Sequence, residues 1–167
     1  NSDIRKAVAS KESSSLRVNI TPIAEKLELD FVTITDDRGT VLARSYEDRR
    51  GDSIAGQALV QKALQGISQS IIEPGKTAKM AAQAGVPLKN EQGQIIGAVI
   101  AGYNVTRDNF VDRIKHMYGT DVTLFLGDER VASTLIKDGK RVVGTKLNGD
   151  IAETILKRGE KYSARAD

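Results

Sequence analysis

Apolar side chains at Ile4, Val8, Leu16, Ile20, Ile23 and Leu27 recur at close to helical spacing through residues 3–28, a stretch without glycine. That period predicts a helix from about Asp3 to Leu29. The stripe is thin between Val8 and Leu16, where Lys11, Glu12 and the serines 13–15 intervene. Thr21 followed by Pro22 reads as an N-cap and a first-turn proline, so a restart or kink is expected there. At 1.5 Å per residue the apolar positions span about 35 Å, longer than strands of ~17–20 Å can cover. Part of the helix, especially Ile4, Val8 and Leu16, is therefore expected to pack against a second copy.

After residue 30 the period changes from helical to extended. In "DFVTITDDRGTVLARS" two runs of β-branched and apolar residues flank Asp36, Asp37, Arg38 and Gly39, which predicts a hairpin with glycine at its turn. "DSIAGQALVQKALQG" reads as a helix capped by Asp52 or Ser53 and stopped by Gly66. Three further strands are expected in "SQSIIEPG", "KMAAQAGVPLKN" and "QIIGAVIAGYNV", the last two joined by an NEQG turn with Gly93. The final strand runs without an evident loop into a helix over residues 106–118. An echo follows: "DVTLFLGDERVAST" repeats the first hairpin, "GDIAETILKRG" the helix, and "EKYSARAD" the start of the third strand. Two strand-turn-strand-helix units also arise by chance, so the repeat is one of two readings. The division expected is residues 1–30 as the amino-terminal helix, 31–118 as a sheet module, and 119–167 as a second, incomplete module or an extension.

The chain has 167 residues, with 25 basic and 22 acidic side chains interspersed along it. This is enough for one ordinary core, and a net charge of +3 spread in this way gives no stripe for nucleic acid. Cysteine is absent, which removes disulfides, thiol nucleophiles and thiolate metal sites. The single histidine, His116, has no partner at ligand spacing, so no metal is expected. Asp36 and Asp37 lack the alternating oxygens and twelfth-position Glu of a calcium loop. No GxSxG elbow is present, and "GDSIAGQ" and "EPGKTAK" fall short of a phosphate loop. An enzyme is not expected, and no cofactor is implied.

What remains is a sparse set of polar side chains on strands that otherwise read as buried. Leu42, Arg44 and Tyr46 share a face by strand alternation, as do Ala81, Gln83 and Gly85. If the two faces converge, Arg44, Tyr46 and Gln83 form the polar lining of a small apolar pocket beside Tyr103. Arg44 has the alternative of lying across a sheet edge with its head in water. Lys79 completes the candidate ligand-binding set, although with Arg49 and Arg50 it also reads as a solvated cation.

The ordered series "DDRGTVLARSYEDRRGDSI", "QALVQKALQG", "VPLKNEQGQIIGAVIAGYNV" and "DVTLFLGDERVASTLIKDGKRVVGTKL" resembles the extracytoplasmic Cache sensor regions of bacterial methyl-accepting chemotaxis receptors and sensor histidine kinases. The resemblance covers roughly residues 10–165. It implies an α+β, PAS-like Cache fold: a long amino-terminal helix on a central antiparallel sheet of about five strands, with ligand held beside the sheet. Citrate- and dicarboxylate-sensing kinases of this fold carry an RxKxP pattern. Here Gln83 and Gly85 precede Pro87, and Tyr46 replaces the histidine expected after the second strand. A di- or tricarboxylate would leave buried anionic charge without a partner, so a neutral or singly charged small molecule is expected.

The function so implied is ligand sensing by the extracytoplasmic domain of a transmembrane chemoreceptor or sensor kinase. Such a receptor is a homodimer of the inner membrane whose sensor domain lies in the periplasm, and its membrane spans would lie outside these residues. The alternative is a sensor-fold module that serves dimerisation or binds a periplasmic protein. Nucleic acid is not an expected partner.

Overall fold

The computed structural model describes residues 2–10, 12–74 and 78–164. The chain divides into two compact units: one ends at Glu73 and resumes over Ala81–Tyr103, and the other comprises Pro74–Met80 and the residues from Asn104 onward.

In the first unit, helices α1 (Ser2–Ala9) and α2 (Ser13–Lys26) precede strands β1 (Phe31–Asp36) and β2 (Val41–Arg44). Helix α3 (Ala58–Leu64) leads to β3 (Gln69–Glu73), β4 (Ala81–Lys89) and β5 (Ile95–Asn104). The strands form one five-stranded sheet in the order β2-β1-β5-β4-β3. Its β1–β2, β1–β5 and β3–β4 pairs are antiparallel, and β4 returns as β5 through the turn in which Gly93 N–H donates to the Asn90 carbonyl. Gly39 and Gly93 hold the two expected turns at φ of 78° and 81°, where a side chain would be strained. This is the expected α+β architecture.

The amino-terminal helix departs from expectation in two ways. One helix ends at Ala9 and the next begins at Ser13, where the stripe is thin, and α2 then runs unbroken through Pro22. The break lets α1 pack on α2 and on β1. Val8 and Leu16 are 2% and 0% exposed, and Ile4 packs on the same cluster with Ile20, Val32, Ile34 and Ala43. The residues expected at a seam between copies therefore belong to this unit's own core. Burying each such large aliphatic group stabilises the fold by about 1.5–3 kcal/mol.

A bulge opposite Ile34 and Thr35 alters the face of one more residue. Leu42 joins Ala43 in the helix-side cluster, because the extra residue resets the alternation. It does not share a face with Arg44. Helix α3 also starts later than the expected caps, Asp52 and Ser53. Ser53 pairs with Thr40, and Asp52 is held by Arg44, so neither can cap it.

The second unit holds α4 (Asp108–Tyr118), strands β6 (Thr123–Leu126) and β7 (Glu129–Ser133), the short β8 (Ile136–Lys137) and β9 (Lys140–Arg141), then α5 (Gly149–Ala152) and a π-helical turn, Glu153–Lys157. Val105, Val111, Val131 and Ala132 are its buried apolar residues among those described. Arg141 fastens α4 to the hairpin: its guanidinium donates to both Asp112 carboxylate oxygens, at 2.9 and 2.8 Å, and to the Ser133 carbonyl at 2.7 Å. No described helix is long and apolar enough to cross a membrane.

Candidate functional site

The register of the five-stranded sheet settles which side chains can meet. Thr33 stands opposite Arg44 on β2 and opposite Ile100 on β5, so the three share a face. A Cβ built on Gly85 would lie 3.1 Å from Ile100 Cδ1 and 3.0 Å from Leu59 Cβ, which puts Gly85 on that face, beneath α3. The neighbouring row begins with Tyr46, whose ring meets Phe31 edge to face at 6.3 Å between centroids. Phe31 stands opposite Gly102, and a Cβ on Gly102 would lie 2.9 Å from Phe31 Cζ and 3.0 Å from Gln83 Cα. Gln83 in turn stands opposite Ile71, which packs with Leu59, Val60 and Ile100.

The α3-side face thus carries two rows, Tyr46-Phe31-Gly102-Gln83 and Arg44-Thr33-Ile100-Gly85. Each crosses four strands, or about 14 Å at the usual inter-strand spacing. Two of these eight positions are glycine, and the Phe31 ring lies over Gly102 and Leu59 of α3 over Gly85. Tyr103 follows Gly102 on β5, and alternation turns it to the helix-side face with Ala101 and Val99. The expected cavity beside Tyr103 is corrected accordingly. Lys79 belongs to the other unit, where it forms an ion pair with Glu129.

Arg44 is committed to its own chain. Its side chain is only 7% exposed, and its guanidinium grips both oxygens of Asp52 at 2.8 Å, the Arg49 carbonyl at 2.7 Å and Glu47 at 3.3 Å. The bidentate hydrogen bond from Arg44, reinforced by its charge, pulls the Asp52 carboxyl down to about 2 against the opposing effect of desolvation. The same bond holds the Arg44 pKa above its ordinary value. Arg44 therefore works as a clamp that ties the segment from Arg49 to Asp52 to the end of β2. Gln83 has a lighter engagement, with Nε2 donating to Glu73 Oε1 at 3.1 Å.

Phe31, Glu73 and Glu47 were not among the residues singled out from sequence, and Asp52 was read only as a helix cap. Phe31 and Glu73 needed the strand register, and Asp52 the path of the loop that brings it back to Arg44. Reading the "GDS" carboxylate as a helix cap hid its role. The unit also has a cleft of about 550 Å³ between α2 and the outer edge of β2, lined by Arg17, Thr21, Leu42, Arg44, Asp48 and Arg50 among others. Arg44 borders that cleft, whereas Tyr46 and Gln83 do not line it. Arg17 and Asp48 form an ion pair across it.

Among solved structures, the sensor domain of E. coli DcuS is similar over 72% of this chain and 85% of its own, with 21% identity and a TM-score of 0.57. The sensor domain of the V. cholerae histidine kinase DctB is similar over 78% of this chain and 53% of its own, at 12% identity and a TM-score of 0.58. The ligand-binding domain of the Campylobacter jejuni chemoreceptor Tlp3, in complex with 4-methylisoleucine, is similar over 80% and 61%, at 15% identity and a TM-score of 0.52. The chain spans between half and two thirds of the length of the last two, and at these identities the likeness is one of fold. No curated protein matches the chain. Two family models described as single Cache domain 3 match it, one over residues 104–167 and one over residues 2–118. With the greater part of its length matched and the five-stranded antiparallel sheet in place, the chain belongs to the single Cache domain 3 family of PAS-like sensor domains.

Proposed function

We propose that this chain is the extracytoplasmic, periplasmic sensing domain of an inner-membrane chemoreceptor or sensor kinase, and that it binds a small molecule on the α3-side face without turning it over. The observation that carries the reading is the row Tyr46-Phe31-Gly102-Gln83. It is an aromatic pair and an amide separated by a glycine, on the face that α3 packs against. Apolar walls with a few directional polar groups are what small-ligand sites generally present. Strand β5, at the centre of that face, is followed after only Val105–Arg107 by α4. A change in β5 on ligand binding is thus a change at the entrance to the following helix.

The charge on the face argues for the ligand class. Arg44 is balanced by Asp52 and Glu47, and Gln83 has Glu73 as its neighbour. A di- or tricarboxylate would meet these carboxylates with no uncommitted cation in the two rows, and burying such charge is costly. A neutral or singly charged molecule with an amine or amide N–H fits, with Glu73 as acceptor beside Gln83. The full receptor is proposed to act as a homodimer.

A thermal-shift screen against amino acids, amines and organic acids tests this, because a ligand at 100 times its Kd adds about 2.7 kcal/mol of stability. Stabilisation by an amine or amino acid that is reduced in Gln83→Ala is the expected result. Stabilisation only by dicarboxylates, undiminished in that variant, would overturn it. A second reading, a module for dimerisation or for binding a periplasmic protein, draws on the exposed Val18 of α2 and Leu27 just after it. A screen without hits, together with self-association lost on Val18→Asp, would favour it.

A further inference from the structure

The cleft between α2 and β2 is no part of the two rows on the α3-side face, and its lining has a chemistry of its own. Ser14, Arg17, Val18 and Thr21 follow one another at helical spacing, so a single face of α2 forms one wall for two turns, or about 10 Å. Val18 is 73% exposed there. With Pro22, Leu42 and Ala43 it gives the cleft an apolar stretch. The volume of about 550 Å³ lies within the range of roughly 300–1,000 Å³ found for small-molecule sites.

The charges around this cleft do not cancel. Arg17 pairs with Asp48, Arg44 with Glu47 and Asp52, and Arg49 shares Asp52. Those arginines and carboxylates balance one another. Arg50 also lines the cleft; it is exposed, and its guanidinium has no ion pair or hydrogen bond among the described residues. One positive charge is therefore left uncompensated at the cleft. The partner of Arg17 is loosely held as well, because the Asp48 side chain is 88% exposed. Water competes for such a carboxylate, and the pair opens at little cost.

We propose that this cleft is a second binding site, for a small monoanion with a short apolar body. Its anionic group is held by Arg50 and by Arg17, from which it displaces the Asp48 carboxylate, and its body packs on Val18, Pro22 and Leu42. A guanidinium offers a carboxylate two parallel N–H donors, and a single negative charge matches the single surplus cation. Cationic amines, a class proposed for the α3-side face, are repelled by that same surplus, so the two sites sort ligands by charge. An anion held by both arginines joins α2 to the loop over residues 45–52, which the Arg44–Asp52 clamp already ties to β2. Binding there fastens the helix to the edge of the sheet without involving Gln83 or Phe31.

The test is an NMR titration of the full chain at low salt with three probes of similar shape: benzoate, benzyl alcohol and benzylamine. Benzoate should give saturable shifts at the backbone amides of Arg17, Val18, Asp48 and Arg50. Benzyl alcohol should bind there at least about tenfold more weakly, and benzylamine should leave those amides unmoved. Arg50→Gln should raise the benzoate Kd at least about tenfold. Asp48→Asn, which frees Arg17, should lower it by about two- to fivefold, and Gln83→Ala should leave it unchanged. Both cleft substitutions are at exposed positions, and unchanged melts of the two variants check that the fold is kept. No saturable shift at those amides up to the solubility limit of benzoate, equal affinity for benzyl alcohol, or a benzoate Kd indifferent to Arg50→Gln would each overturn the proposal. Benzoate shifts at Phe31 and Gln83 that shrink in Gln83→Ala would move the anion to the α3-side face and overturn it too. Failure of the α3-side face to bind any ligand would leave the cleft result standing, since neither Arg17 nor Arg50 belongs to its two rows.

Discussion

Replacing Asp52 by Asn removes a carboxylate that receives two 2.8 Å hydrogen bonds from an almost fully buried guanidinium. A shift from 3.8 to about 2 corresponds to an upper bound near 2.5 kcal/mol at 1.36 kcal/mol per pKa unit. Asp52 retains 26% of its side-chain exposure, so water screens part of this, and about 1.5–2 kcal/mol is the expected loss at neutral pH. The folded-state pKa is depressed. The contribution is therefore complete above the unfolded-state value and is lost as pH falls through the folded one, over the window from about pH 4 to pH 2. Urea melts of the protein and the variant should differ by the full amount at pH 6 and by roughly half of it at pH 3. A difference below about 0.5 kcal/mol at pH 6, or one unchanged at pH 3, would refute the clamp.

Leu16→Ala should cost about 3 kcal/mol in the same melts, since Leu16 is fully enclosed by the helix-side core. Gly102→Ala should cost about 2–3 kcal/mol, because its Cβ would sit 2.2 Å from the Ala82 carbonyl oxygen, where backbone must move. Arg17→Ala, by contrast, should change stability by less than about 1 kcal/mol and less still in high salt, because its partner Asp48 is largely exposed. For a ligand found in the thermal screen, Gln83→Ala should weaken binding by about 1 kcal/mol in calorimetry and Tyr103→Ala should leave it unchanged.

The strands were legible because their signals are local. β-Branched runs bounded by Asp36–Gly39 and by Asn90–Gly93 dictate two hairpins whatever lies around them, and the resulting sheet fits the resemblance seen in sequence. Positions set by non-local bonds were not legible. Pro22 reads as a helix start, yet α2 carries it inside, supported by the packing of Leu16, Ile20 and Ala24 on the sheet. One bulged residue separated Leu42 from Arg44, and strict alternation cannot foresee a bulge. Asp52 looked like a cap until the loop brought it back to Arg44. Of the candidate set, Arg44, Tyr46 and Gln83 lie on one face. Tyr103 was misplaced by reading proximity along β5 where parity decides, and Lys79 lies in the other unit.

The account rests on the α3-side face as the place where a small molecule is read. The most direct measurement is an NMR titration of the isotopically labelled chain with a ligand from the thermal screen, following backbone amides and the Gln83 side-chain amide. The predicted result is saturable shifts at Phe31, Tyr46, Gln83, Ile100 and along α3, with Arg17, Thr21 and Asp48 unmoved. Shifts confined to Arg17, Thr21 and Asp48, in the cleft between α2 and β2, would contradict it.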